Sequence, residues 1–286
     1  MVDFGVGEAL EDAPAVLGGG TFGAIVNLDV LEEAHPGLHT QIMKVVVAGG
    51  SGQVGTVLAR AFLARGDDVV TLTRGSGAVA GRAVTWDGAL LGAWASEVDG
   101  ADVIVNLAGR SVDCRYNAAN RREIMDSRVQ SMRAIGEAIA QAVRPPSVWL
   151  QAGTATIYAH TYDRANDEGS GVLGGGEPDV PDTWRFSIDV AKAWEGAVNL
   201  AAPEPLPNAD FMRALRQAWG IRFGLPATGW MLEAGAFVMR TETELVAKSR
   251  RVVPGRLLED GFEFHHPSWP EAADDLCSEW RARRGA

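Results

Sequence analysis

At 286 residues, 47% of them hydrophobic and 22% charged, the chain has the composition of an ordinary globular protein and room for one large and one smaller domain. Its formal net charge of -11 repels phosphate at long range, which argues against nucleic acid or an anionic membrane as a partner. Two distant cysteines, Cys114 and Cys277, and five histidines without ligand spacing suggest no disulfide framework and no metal site, so a reduced, cytoplasmic protein is expected.

Residues 1–42 carry Asp3, Glu8, Glu11 and Asp12, a Gly18-Gly19-Gly20 run and no clear period. They read either as a poorly ordered arm or as sequence upstream of a natural start at Met43, the second being favoured. From Met43 strands and helices alternate. Lys44 to Ala48 is a short apolar run of the kind a buried parallel strand shows. Gln53 to Arg65 has helical spacing and Gly66 can end it. Strands are predicted over Asp68 to Thr73, Ala83 to Trp86, Asp102 to Ala108 and Ser147 to Ala152. Between them fall a short helix over Leu91 to Val98 and a long one over Ala118 to Ala142, stopped by Pro145-Pro146. A loop over Thr161 to Asp182 and a helix over Phe186 to Ala197 follow. Beyond Pro203, Asn208 is read as the cap of a helix closing at Gly220, with further helices over Trp230 to Met239 and Thr241 to Arg250. His265-His266 reads as solvated loop. No apolar run is long enough to cross a bilayer.

Repeated strand–helix units imply an α/β fold, a Rossmann-like, doubly wound parallel sheet, with a small, mainly helical C-terminal domain. The expected divisions are an extension over 1–42, a nucleotide-binding domain over 43–202 and the helical domain over 203–286.

Gly49, Gly52 and Gly55 stand at GxxGxxG spacing between the first strand and its helix. The first permits the tight turn, the second lets a pyrophosphate approach the backbone, and the third lets helix and strand pack closely. Ser51, Gln53 and Val54 complete that turn, and the helix N-terminus offers N–H groups and a positive dipole end. The strand–turn–helix context makes dinucleotide binding the reading. Strand two ends in Thr73-Arg74, where NAD-selecting enzymes carry an acidic residue; Arg74 suits a 2′-phosphate, so NADP is expected ahead of NAD. Asp87 either reaches the adenine edge or serves as a turn aspartate before Gly88.

The chain resembles the extended and atypical short-chain dehydrogenase/reductase superfamily, and within it epimerase-like proteins with a C-terminal domain of unknown function. The matching pieces are AGGSGQVG (48–55), LTR (72–74), VIVNLAGR (103–110), SR at 127–128, TATIYA (154–159), AKAWE (191–195), NADFMRALRQAW and KSRRVVPGRLLEDGFEFHHP (248–267). The resemblance implies that Asn106, Leu107, Ala108 and Gly109 line the cofactor wall. It implies that Thr154 holds the catalytic Ser/Thr place and Lys192 the catalytic lysine place.

Two departures stand out. Ile188 occupies the position, four before the lysine, where the superfamily has its catalytic tyrosine, and it can neither donate nor accept a proton. Tyr158 substitutes only if its hydroxyl turns toward the nicotinamide; otherwise it packs beneath the loop. Lys192 and Thr154 also have plain structural alternatives, a helix-surface lysine and a strand-end hydroxyl. The second departure is length. Lys192 to Ala197 runs straight into Val198 to Pro203, which resembles a late strand, so a block including the sixth strand is missing from the family pattern. Two functions follow: an NADP(H)-dependent oxidoreductase or epimerase-like enzyme for a small carbonyl or sugar-like substrate, or a non-catalytic dinucleotide-binding protein.

Overall fold

A computed structural model describes residues 42–75, 77–194, 204–224, 228–243, 248–259, 261, 264 and 266–285. The extension apart from Ile42, the stretch Val198 to Ala202 and His265 lie outside the described residues. The described chain falls into two compact units, the first of residues 42–154 and 186–194 and the second of residues 155–185 and 204–285.

The first unit is built on five parallel strands: β1 Lys44–Ala48, β2 Asp68–Thr73, β3 Arg82–Thr85, β4 Val103–Asn106 and β5 Val148–Gln151. Their order is β3-β2-β1-β4-β5, with Val46 beside Val70 on one side and Ile104 on the other. The central strands are apolar along nearly their whole length because helices cover both faces of a parallel sheet. Helix α1 (Gln53–Arg65) buries Gly55, Leu58, Ala59 and Phe62, one stripe at helical spacing. It ends at Gly66, whose left-handed φ of 97° lets its N–H reach the Leu63 and Phe62 carbonyls. Helix α2 (Ala118–Gln141) starts where the Asn117 side chain accepts the Asn120 N–H at 2.9 Å. It lays Ala134, Ile135 and Ala138 on a core that also holds Val46, Leu72, Ile104, Trp86 and Trp94. Helix α3 (Asp182–Trp194) packs through Phe186 and Val190 onto Tyr116 and Ile124.

The second unit is mainly helical, with α4 (Asn208–Trp219), α5 (Gly229–Met239), α6 (Gly255–Glu259) and α7 (Trp269–Gly285). Phe211 stacks on Trp269 with ring centroids 4.1 Å apart, and the Trp269 indole donates to the Phe211 carbonyl at 3.0 Å, locking α4 to α7. Among the described residues, no helix is long and apolar enough to cross a membrane.

The structure corrects several expected elements. The helix over Leu91 to Val98 is a single 3-10 stretch, Ala93–Glu97, held by buried Trp94. The loop over Thr161 to Asp182 contains strand β6 (Thr161–Asn166), which pairs in parallel with β7 (Arg250–Val252). The expected helix over Thr241 to Arg250 is not borne out at its described ends, since 241–243 and 248–249 are not helical and Arg250 opens β7, with 244–247 outside the described residues. Helix α3 begins four residues early because the Pro181 carbonyl already accepts the Arg185 N–H at 3.0 Å. Pro207, not Asn208, caps α4, its carbonyl accepting the Asp210 and Phe211 N–H groups.

Glu97 fastens the 3-10 stretch to the sheet. Its two oxygens accept from the Arg82 guanidinium at 2.7 Å each, and Lys44 Nζ lies 3.3 Å away. Arg82 is the main cause, with Lys44 assisting, that the Glu97 carboxyl falls to about 2 from 4.5. A depressed carboxyl stabilises the fold above its ordinary titration range and loses that contribution as protons bind the native state. With Arg82 half exposed, solvent screening leaves on the order of 1 kcal/mol. Glu97→Gln should cost that much at neutral pH, and the gap to the parent in urea midpoints should close as pH falls from 4.5 toward about 2. A gap that stays constant would refute the ion-pair account.

Candidate dinucleotide-binding site

The turn after β1 and the first turn of α1 contain four glycines, and their surroundings separate them. Gly49 has φ 77°, and a Cβ there would lie 2.9 Å from the Ala108 nitrogen and the Leu107 carbonyl carbon. Both the conformation and the neighbouring backbone forbid a side chain. At Gly50 a Cβ would meet the Thr71 side chain at 2.8 Å, and at Gly55 it would meet Gly50 Cα at 2.5 Å. Gly52 is different. Its φ is -75°, it is exposed, and the nearest atom to a Cβ would be the Gly49 oxygen at 3.4 Å, ordinary contact. No contact among the described residues requires glycine at that position.

Gly52 is also the N-cap of α1. No side chain caps this end and no acidic residue occupies the first turn, while the Gly52 carbonyl accepts the Thr56 N–H at 2.8 Å. Exposed Gln53 and half-buried Val54 thus begin a helix whose first N–H groups lie beyond the internal ladder. Backbone donors, a positive dipole end and a bare Cα together suit a phosphate.

The end of β2 is tied to this turn. Buried Thr73 donates its hydroxyl to Ser51 Oγ at 3.3 Å and accepts the Gly75 N–H at 3.2 Å, which holds exposed Arg74 in a tight turn beside the glycines. Asp87, past β3, accepts the Leu90 and Ala89 N–H groups at 2.9 and 2.8 Å, and those bonds hold its carboxyl below the usual carboxylate range. Its described bonds are those of a turn aspartate, one of the two roles open from sequence.

At the end of β4, Asn106 is fully buried. Its amide donates to Gln151 Oε1 at 2.9 Å and Ser131 Oγ at 3.4 Å, and its Oδ1 accepts the Ala108 N–H at 3.0 Å. It works behind the wall rather than on its surface. The Leu107 N–H reaches the Ala48 carbonyl at 2.9 Å, so Leu107 and Ala108 are pinned beside Gly49, and exposed Gly109 lies against Arg128. Arg128 entered the sequence reading only within SR at 127–128, and nothing in its spacing marked it as part of this wall.

The candidate catalytic residues are less concentrated. Half-buried Thr154 follows β5 and exposed Lys192 lies on α3, both in the first unit. Ile188, one turn before Lys192, is fully buried, so the place of the expected proton donor is filled by a core side chain. Tyr158 belongs to the second unit and is 7% exposed; its ring lies against Gly171 and its backbone bridges to Leu173. These contacts place the ring beneath the loop.

Residues 45–174 match the NAD dependent epimerase/dehydratase family, and residues 227–276 match a domain of unknown function, DUF1731. Epimerase family protein SDR39U1 of Homo sapiens is 32% identical over 304 aligned positions, covering 82% of this chain and 100% of that protein. The chain belongs to the epimerase family. The alignment to the human epimerase family protein has more positions than this chain has residues, so a part of that relative has no counterpart here. The Bos taurus protein of the same name is 32% identical over 161 residues, 55% of this chain, and there the match spans only about half of the relative, 49%. The crystal structure of the human protein (isoform2), determined with NADPH, superposes with a TM-score of 0.65 at 22% identity, over 82% of this chain and 99% of that one. A nucleoside-diphosphate sugar epimerase from Corynebacterium glutamicum superposes with a TM-score of 0.57 at 19% identity, over 82% and 57%. At those identities both show the shared Rossmann-like fold.

Stability should separate the glycines. Gly55→Ala forces the α1 backbone off Gly50 and should cost about 1–3 kcal/mol, whereas Gly52→Ala should cost less than about 1 kcal/mol. Chemical denaturation of the two variants checks this, and equal losses would remove the distinction.

Proposed function

We propose that the protein binds NADP(H) in the turn between β1 and α1, as an oxidoreductase or epimerase-like member of the short-chain dehydrogenase/reductase type. Gly52 is the observation that carries this reading. The other three glycines are required by protein contacts, whereas Gly52 meets only an ordinary contact at a helix N-terminus that no side chain caps, which suits a pyrophosphate. Arg74, exposed after β2, is assigned to the 2′-phosphate, and the Asn106–Gly109 segment to the wall along the cofactor. The human relative solved with NADPH supports the choice of cofactor.

The bound cofactor would supply or accept a hydride. This chain's own contribution is to hold it, with Lys192 assigned to the nicotinamide ribose and Thr154 to the substrate carbonyl. The proton donor is the weak point. Ile188 cannot move a proton, and Tyr158 packs under its own loop. A non-catalytic, dinucleotide-binding role is therefore the second reading, favoured by the burial of Ile188 and by the part of the human relative without a counterpart here. A small carbonyl or sugar-like compound remains the substrate class if the chain turns over.

Calorimetric titration tests the cofactor. NADPH should bind roughly 10- to 100-fold more tightly than NADH, the yield of a charge-assisted Arg74 pair, and Arg74→Asp should erase the preference. Gly52→Val should abolish binding of either. Equal affinities in the parent protein would sink the Arg74 assignment, and unchanged binding in Gly52→Val would sink the site. Turnover on a panel of carbonyl compounds should be weak or absent; robust NADPH oxidation that disappears in Thr154→Ala or Lys192→Ala would restore a full enzyme.

A further inference from the structure

Arg128 is a largely buried cation without an anion among the described residues. It projects from α2 against Gly109, where a Cβ would lie 3.2 Å from its Cζ, and its guanidinium sits 5.1 Å from the centre of the Trp194 ring. Nη1 donates to two carbonyls, Arg110 at 3.0 Å and Ile124 at 3.1 Å. Those two bonds use both Nη1 hydrogens. Among the described residues no carboxylate pairs with it, although Arg65, Arg82, Arg110 and Arg213 all have one. Burial lowers its pKa, opposed in part by nearby Tyr116, as expected of a charge that has lost water. Close by, the Trp194 indole N–H is buried with no acceptor among the described residues.

Leaving a guanidinium in such a place costs free energy unless something pairs with it. The hydrogen bonds show which edge is open. With Nη1 consumed, Nε and Nη2 remain, and together they form the side-on fork that takes two oxygens of one planar anion. Gly109 and the Trp194 ring both lie against the guanidinium that carries this fork. A lysine would supply charge there but no fork.

The geometry points to Arg128 as an oxyanion receptor in the wall after β4, binding a carboxylate or phosphate through Nε and Nη2. The assignment rests on the dinucleotide reading of the same wall and narrows it. The oxyanion is either a carboxylate of the substrate, which would make that substrate an acid, or a phosphate of the cofactor.

The test uses the full chain, with Arg128→Gln and Arg128→Lys as variants, near-ultraviolet circular dichroism as the check on folding, and calorimetry as the readout. NADPH is titrated first, then oxamate is titrated into the NADPH complex. A cofactor phosphate predicts that Arg128→Gln weakens NADPH roughly 10- to 100-fold. A substrate carboxylate predicts unchanged NADPH affinity, with oxamate binding the parent complex and lost in the variant. In either case Arg128→Lys should keep only part of the affinity, and it decides the matter if Arg128→Gln does not fold. NADPH affinity unchanged in both variants, with oxamate either not bound or bound equally by all three proteins, overturns the receptor. Failure of the parent chain to bind NADPH would strike the dinucleotide reading instead; oxamate and inorganic pyrophosphate titrated into the free protein then judge Arg128 separately.

Discussion

Backbone meets backbone where Gly49 lies against Leu107 and Ala108, and the candidate site is arranged around that contact. The parallel register sets Ala48 beside Asn106, so the chain leaving β1 and the chain leaving β4 must pass each other within a side chain's width. Only a glycine in the left-handed region clears the gap. Asn106 holds the other partner in place through three hydrogen bonds from a fully buried position. Loosening either side would displace the start of α1 and the wall through Gly109 together. A buried amide with both donors used and its oxygen engaged is stiff, which is what a surface that must match a ligand needs.

The first unit was largely legible because its signals are local. Strand β1 is an apolar run, α1 carries one buried stripe, and Gly66 ends it with the conformation a glycine permits. The small β6–β7 sheet was not legible. Its strands are far apart in sequence, and β6 reads Thr-Tyr-Asp-Arg-Ala-Asn, with the polarity of a loop. Pairing across such a distance leaves no periodic trace in either segment. The site divides in the same way. The glycine turn could be read from spacing, because spacing is what it consists of. That the Asn106 side chain points into the core, or that the Arg128 guanidinium is shielded yet unpaired, depends on tertiary packing that no local pattern records.

Membership of the epimerase family sharpens the contrast between holding a cofactor and using it. The elements that would hold it, from Gly49 to Gly109, sit in one continuous stretch of the first unit. The elements that would use it are incomplete: Thr154 and Lys192 stand in the places the family pattern gives them, and the tyrosine's place is held by Ile188. Ile188 gives its place to packing, where proton transfer would require a polar group open to the substrate. Binding needs a rigid turn and a few donors. Chemistry needs reacting groups held to within a fraction of an ångström, a far stricter demand.

The unequal surroundings of the glycines bear on descent. Changes at Gly49, Gly50 or Gly55 harm the fold itself, so any lineage that keeps the protein folded keeps them, whatever the protein does. Gly52 has no such protection. A descendant released from its ligand would let residue 52 drift to alanine, serine or larger while its three companions stayed fixed. On the proposed reading, residue 52 is the position where selection on binding would show apart from selection on folding.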